Sequence, residues 1–98
     1  MFISHSSKDE DIAAGIVQHL VSLGVPCWIA PRDIPPGEDW AESVLQAIDS
    51  ALCLLLVATV SSFSSGQVRR EIERAADKGI PIIAVVFDGA AIPDWLKY

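Results

Sequence analysis

The chain is expected to fold as an α/β domain, a parallel sheet with helices wound on both faces. Three observations predict it. Apolar segments of strand length alternate with segments whose apolar residues recur at helical spacing. The strongest strand segment, residues 52–57, is apolar without alternation, as a strand covered on both faces must be. The connections are short, which suits consecutive strand-helix units. At 98 residues there is material for one core and not for two.

Phe2, Ile3 and Ser4 read as the tail of a first strand. Ser7-Lys8-Asp9-Glu10 has the S-x-x-E form of a capping box, in which Ser7 would open a helix. Ile12, Ala13, Ile16, Val17 and Leu20 then give it one apolar stripe, and Gly24 closes it where a positive φ is usually needed. Residues 25–29 supply a second strand. A loop stiffened by Pro31, Pro35 and Pro36 follows, carrying Arg32, Asp33, Glu38 and Asp39. Three fixed φ angles lower the entropy lost when such a loop is ordered, and three missing donors bar it from a sheet.

Asp39, with Glu42 three residues on, can cap a helix running to about Ser50, whose core stripe is Ala41, Val44, Leu45 and Ile48. After the apolar strand, residues 61–66 read as a hydroxyl-rich loop. Residues 67–78 read as a helix facing inward with Val68, Ile72, Ala75 and Ala76 and stopped by Gly79. Residues 80–87 are the fourth strand, with Pro81 at its start where a missing donor costs least. Asp88-Gly89 reads as a turn, and Pro93 to Leu96 as the beginning of a helix. Both ends look cut short, so the chain is expected to be one domain, residues 1–98, of a longer protein.

Composition narrows the function classes. A formal net charge of −6 opposes non-specific binding to phosphate backbones, so nucleic acid is not an expected partner. No apolar run reaches the roughly 18 residues of a membrane span and no signal peptide is visible, which predicts a cytoplasmic domain without a membrane partner. Cys27 and Cys53 sit among apolar neighbours and read as buried small hydrophobes. His5 and His19 have no ligands at metal spacing, so no metal is expected. Dinucleotide fingerprints, phosphate loops and nucleophile elbows are absent. A phosphoacceptor site would need clustered acids after the first strand, where this chain has Ser4, His5 and Ser6.

Three segments remain, each following a strand's carboxyl end, where open α/β sheets bind ligands. They are residues 4–7, residues 30–40 and residues 61–71, and together they offer hydroxyls, helix amides, Arg32 and one well-placed acid, Glu71. Glu71 sits at the margin of its helix's apolar stripe. From there it can look into a cleft, with a pKa expected near the ordinary value of about 4.

These segments, FISHSSKDED, CWIAPRDIPPGEDW and residues 61–71 with Val68-Arg69-Arg70-Glu71, resemble the Toll/interleukin-1 receptor (TIR) domain in its bacterial form. The resemblance covers essentially the whole chain. It implies a flavodoxin-like sheet and identifies the proline loop with the family's BB loop. It also implies one of two functions. The first is a self-associating enzyme of bacterial immune or stress signalling that cleaves NAD, its substrate rather than a cofactor, at the nicotinamide ribosyl bond. The second is a non-catalytic module that binds other TIR domains through the loop.

In the enzyme reading the resemblance makes Glu71 the catalytic residue, with Ser4, His5, Ser6, Arg32, Asp33, Trp40 and Gln67 as candidate substrate contacts. Nicotinamide leaves a pyridinium as a neutral ring, so no general acid is required. One ionised carboxylate can stabilise the developing ribosyl cation, which water or the adenine of the substrate would capture. Arg32 and the amides around Ser6 and Ser7 are expected to meet the diphosphate.

The same residues allow plainer readings. Glu71 has Arg69, Arg70 and Arg74 close in sequence and would then be a solvated helix acid. Trp28 would be a packing residue, Trp40 a helix-entry staple, and Arg32 the partner of Asp33. Gln67 stands where catalytic members often carry an aromatic that stacks on nicotinamide, so stacking must come from elsewhere.

Overall fold

A computed structural model describes residues 1–87. The turn at Asp88-Gly89 and the helix expected from Pro93 lie outside the described residues. The observed elements are strand β1 (Phe2–Ser4), a 3-10 turn (Ser7–Asp9), helices α1 (Glu10–Ser22) and α2 (Trp40–Ser50), and strand β2 (Leu54–Ala58). Helices α3 (Val60–Phe63) and α4 (Gly66–Asp77) and strand β3 (Ile82–Val86) complete the set. The sheet is parallel with order β1-β2-β3. Phe2 lies beside Leu54, Ile3 beside Leu55 and Ser4 beside Leu56, and Leu54 to Ala58 pair with Ile82 to Val86.

Alternation along these strands builds two cores. Phe2, Leu54, Leu56 and Ala58 face α2 and α4, where they meet Val44, Ile48, Val68, Ile72 and Ala75. Ile3, Leu55 and Val57 face α1, where they meet Ala13 and Val17 together with Ile29. The sheet is therefore wound on both faces, and all of β2 is buried, as its unbroken apolar run requires.

Several local expectations are corrected. Residues 25–29 occupy the outer edge beside β1 but form only one parallel bridge, Phe2 with Trp28, with hydrogen bonds from Trp28 N to Met1 O and from Ile3 N to Trp28 O. Pro26 offers no donor, and the chain turns into the proline loop directly after Ile29, so a longer ladder has nothing to build on. The capping serine is Ser6 rather than Ser7. Its Oγ accepts from Lys8 N at 3.2 Å and opens a 3-10 turn before α1. The hydroxyl-rich stretch is not all loop, because Thr59 and Ser62 cap each other and fold the single turn of α3. Leu52 is exposed, so β2 starts two residues later than the apolar run. Ala76 is exposed, and the buried stripe of α4 is Val68, Glu71, Ile72 and Ala75, with Glu71 as its polar member. Cys27 and Cys53 are half-buried free thiols, not core residues.

The Asp39 cap of α2 follows the sequence, and Ser65 caps α4. Asp39 Oδ1 accepts from Glu42 N at 3.0 Å and Ser65 Oγ from Val68 N at 3.2 Å, each worth about 1 kcal/mol to its helix. Gly24 and Gly79 take φ of +83° and +70° after α1 and α4. No helix among the described residues is long and apolar enough to cross a membrane.

Candidate functional site

Strand parity decides which residues after β1 meet which helix. Ser4 shares the face of Phe2 and points toward α4, whereas His5 follows on the opposite side toward α1. On α4, the i, i+3, i+4 rule puts Glu71 on the same stripe as Val68, Ile72 and Ala75. The two polar side chains meet at this inner face. Ser4 Oγ donates to Glu71 Oε1 at 2.7 Å, and Gln67 Nε2, one turn earlier on α4, donates to Oε2 at 3.4 Å.

Glu71 is 7% exposed. Burial pushes its carboxyl up to about 6, against the lowering effects of the Ser4 and Gln67 hydrogen bonds and the Arg70 charge. The ordinary value near 4 expected from the sequence is corrected, because a carboxylate on the core stripe loses water that an exposed one would keep. At neutral pH it is still about nine-tenths ionised. The reading of Glu71 as a solvated acid is overturned as well. Arg74 makes a two-pronged contact with Asp49 of α2 at 2.8 and 2.7 Å, and Arg69 pairs with Glu73 at 3.1 Å.

Glu71 borders two adjoining cavities. One, about 100 Å³, is floored by Phe2 and Ile3 and walled by His5, Ser7, Glu10, Ala30, Pro31, Trp40, Gln67 and Glu71. The other, about 250 Å³, lies between α2 and α4 and is lined by Trp40, Ala41, Val44, Leu45, Gln67, Arg70 and Glu71. Trp40, Gln67 and Glu71 are common to both. Beyond His5, Glu10, Ala30 and Pro31 a third hollow of about 400 Å³ opens between α1 and the proline loop, with Arg32 at its rim. The small cavity shares lining residues with each of the other two and lies between them.

Of the residues singled out from the sequence, Glu71, Gln67, Trp40 and His5 come together. His5 is half-buried; burial lowers its pKa, with Glu10 and Asp9 acting in the opposite direction, which leaves it neutral near pH 7. Trp40 is 47% exposed at the first position of α2 and presents a ring to both cavities. The other four are placed differently. Ser4 has no exposed surface and its hydroxyl is committed to Glu71. Ser6 Oγ is committed to its turn.

Arg32 donates to both oxygens of Asp33, at 3.0 and 2.7 Å, and to Cys27 O at 3.0 Å. Asp33 also accepts from Ile29 N at 2.8 Å. Burial raises the Asp33 carboxyl, but the Arg32 and Ile29 donors outweigh it and hold the group below its usual value. This pair ties the proline loop to itself, the pairing that the plainer reading of Arg32 expected, while the Arg32 side chain stays 53% exposed. The residues that sequence reasoning missed are Phe2 and Arg70. Phe2, stacked on Trp28 with centroids 5.2 Å apart, floors the first cavity, and Arg70 brings a cation to the second. Strand alternation for the one and helical spacing from Gln67 for the other would have found both.

The family model of the TIR domain matches residues 1–97. The chain belongs to the TIR domain family.

Solved structures agree in fold. This TIR domain superposes on that of the Toll-related receptor TRR-2 from Hydra magnipapillata with a TM-score of 0.88 at 20% identity, over 97% of this chain and 75% of that one. A metazoan TIR-STING receptor from C. gigas gives a TM-score of 0.80 at 26% identity, over 95% of this chain and 33% of that one. The TIR domains of the activated Roq1 resistosome, which directly recognises the pathogen effector XopQ, give 0.80 at 15% identity, over 91% and 57%. The chain thus spans about a third of the TIR-STING receptor and just over half of the Roq1 chain. No curated protein sequence matches it. The flavodoxin-like fold expected from the sequence is the fold observed.

Proposed function

We propose that this domain cleaves NAD at the nicotinamide ribosyl bond, releasing nicotinamide and ADP-ribose or a cyclic variant. The observation that carries the reading is a single buried carboxylate, pinned by Ser4 and Gln67, facing two cavities that share one aromatic ring. The bond to be broken links a ribose carbon to a pyridinium. Its electrons leave with a ring that becomes neutral, so protonation of the leaving group is unnecessary. Positive charge then develops on the ribose, and an ionised Glu71 a few ångströms away in a low-dielectric site stabilises it. Trp40, exposed over both cavities, supplies the stacking surface that Gln67 does not. Arg70, which lines the larger of these cavities, offers a cation for phosphate oxygens. Water, or the adenine of the substrate, captures the cation.

Self-association is the second part of the proposal. The proline loop is stiffened by three prolines and by the Arg32–Asp33 clasp, which lowers the ordering cost of a protein contact. The Roq1 TIR domains were solved in an activated assembly. A role for such an activity in bacterial immune or stress signalling is part of the same proposal, supported by the resemblance of the sequence to bacterial TIR domains. A specific observation favours the module reading instead. Gln67 gives the cavity beside Glu71 an amide where a ring would serve catalysis better.

Sedimentation of the full chain alongside nicotinamide release separates the readings. Release is expected to rise at least about tenfold when the chain is tethered to a self-assembling scaffold. A monomer turning NAD over at the assembled rate refutes the role of assembly. An assembled chain that leaves NAD intact, yet still binds its own kind, returns the domain to the module class.

A further inference from the structure

We propose that Ser4 is the positioning residue of this cleft, its buried hydroxyl holding the Glu71 carboxylate charged and aimed at the cavity. The inference rests on the reading of Glu71 given above. Ser4 occupies a position on β1 where the face turned to α2 and α4 is otherwise apolar. Its register partner is Leu56, its neighbour on that face is Phe2, and it has no exposed surface. A hydroxyl there costs folding energy unless it is hydrogen-bonded. Its bond is to Glu71 Oε1 at 2.7 Å, a well-formed hydroxyl-to-carboxyl hydrogen bond. One carboxylate oxygen is thereby fixed toward the sheet. The other has only the 3.4 Å contact from Gln67, and both Glu71 and Gln67 line the two cavities, so it is the oxygen free for a ligand.

The remaining groups around Glu71 do not replace this bond. Arg70 on α4 acts through its charge and makes no ion pair with Glu71 within 4.0 Å. His5, after β1, and Glu10, at the start of α1, border the same cavity from its opposite wall, and α2 contributes the uncharged Trp40. The Ser4 hydroxyl is therefore the strongest local contact favouring the charged form, against the burial that opposes it. It sits behind the carboxylate and cannot touch substrate. Its effect passes through Glu71 alone.

The test is a carbon-detected NMR titration of the Glu71 carboxyl in the full chain and in Ser4→Ala, with the pH profile of nicotinamide release beside it. Ser4→Ala is expected to raise the titration midpoint by about one pH unit and to move the acid limb of the profile by the same amount. At high pH, where both chains are ionised, rates should converge to within severalfold. Ser4→Cys, similar in size and a weaker donor, should fall between, and it answers the same question should Ser4→Ala not fold. A midpoint unchanged in a folded variant overturns the proposal, as does a loss of rate that is the same at every pH. A wild-type chain that releases no nicotinamide would sink the catalytic reading, while the titration would still decide whether Ser4 governs Glu71.

Discussion

At neutral pH, Glu71→Gln is expected to make the folded domain more stable, by about 1–2 kcal/mol. Burial raises the carboxyl from its usual value of 4.5 to about 6. Below about pH 4.5 the group is protonated folded and unfolded alike and contributes nothing. Between about 4.5 and 6 the folded state keeps a proton that the unfolded state has lost, so stability falls as pH rises. Above about 6 the penalty is complete, on the order of 2 kcal/mol. Glutamine has the same shape, still accepts from Ser4 through its carbonyl, and carries no charge to desolvate.

The check is denaturant unfolding of both chains at pH 4.5 and pH 7.5. The variant's advantage should be small at the lower pH and grow at the higher. Only the difference between the two chains is diagnostic, because Asp33 and Asp49, both held below their usual values, titrate identically in each. A variant whose advantage over wild type shrinks as pH rises would mean that the bonds to the charged form outweigh its burial. A protein that keeps a destabilising charge in its core gives up stability at a site, which is where function is to be sought.

Phe2→Ala should have the largest effect on folding. Phe2 is 1% exposed and stacked on Trp28, at 5.2 Å between centroids and 12° between planes. It contributes to the core shared by α2 and α4 while forming the floor of the smaller cavity. Removing a ring from such a position costs about 3–5 kcal/mol, a large fraction of the 5–15 kcal/mol that holds a small domain together. Thermal and denaturant unfolding should therefore shift strongly, and the residual folded fraction should bind ligand poorly because the cavity has lost its floor. Leu52→Ala, at a position 90% exposed, is the control and should stay within about 0.5 kcal/mol of wild type. A cost below about 1 kcal/mol for Phe2→Ala would show that the outer edge beside β1 is not anchored by this stack.

Much of this architecture is written in local chemistry. The unbroken run at Leu54 to Val57 announces a strand buried on both faces, Asp39 and Gly79 announce helix ends, and spacing alone puts Val68 and Ile72 on one stripe. What the sequence conceals depends on tertiary contact. Ser6 rather than Ser7 caps the first turn, and Asp9, which would belong to a Ser7 box, instead accepts a hydrogen bond from Thr59 fifty residues away. The turn of α3 exists because Thr59 and Ser62 satisfy each other, a pairing that a run of serines disguises as loop. Residues 25–29 have strand composition but only the room for a bridge.

At the site, the position of Glu71 was legible and its environment was not. Three nearby arginines suggested a solvated acid, yet Arg74 pairs with Asp49 and Arg69 with Glu73, while the hydrogen bonds to the buried carboxylate come from Ser4 and Gln67. Arg32 pairs with Asp33 and the Cys27 carbonyl, contacts that spacing in the sequence allows but does not select.

The measurement that bears most directly on the account is nicotinamide release from NAD by the assembled full chain and by assembled Glu71→Gln, with product identity read at the same time. Removing one well-placed charge from a transition state costs about 10²–10³ in rate. The account predicts a loss of at least that size in a variant that folds and assembles as well as wild type. A variant within a few-fold of wild type, or a wild type that releases nothing once assembled, would contradict it.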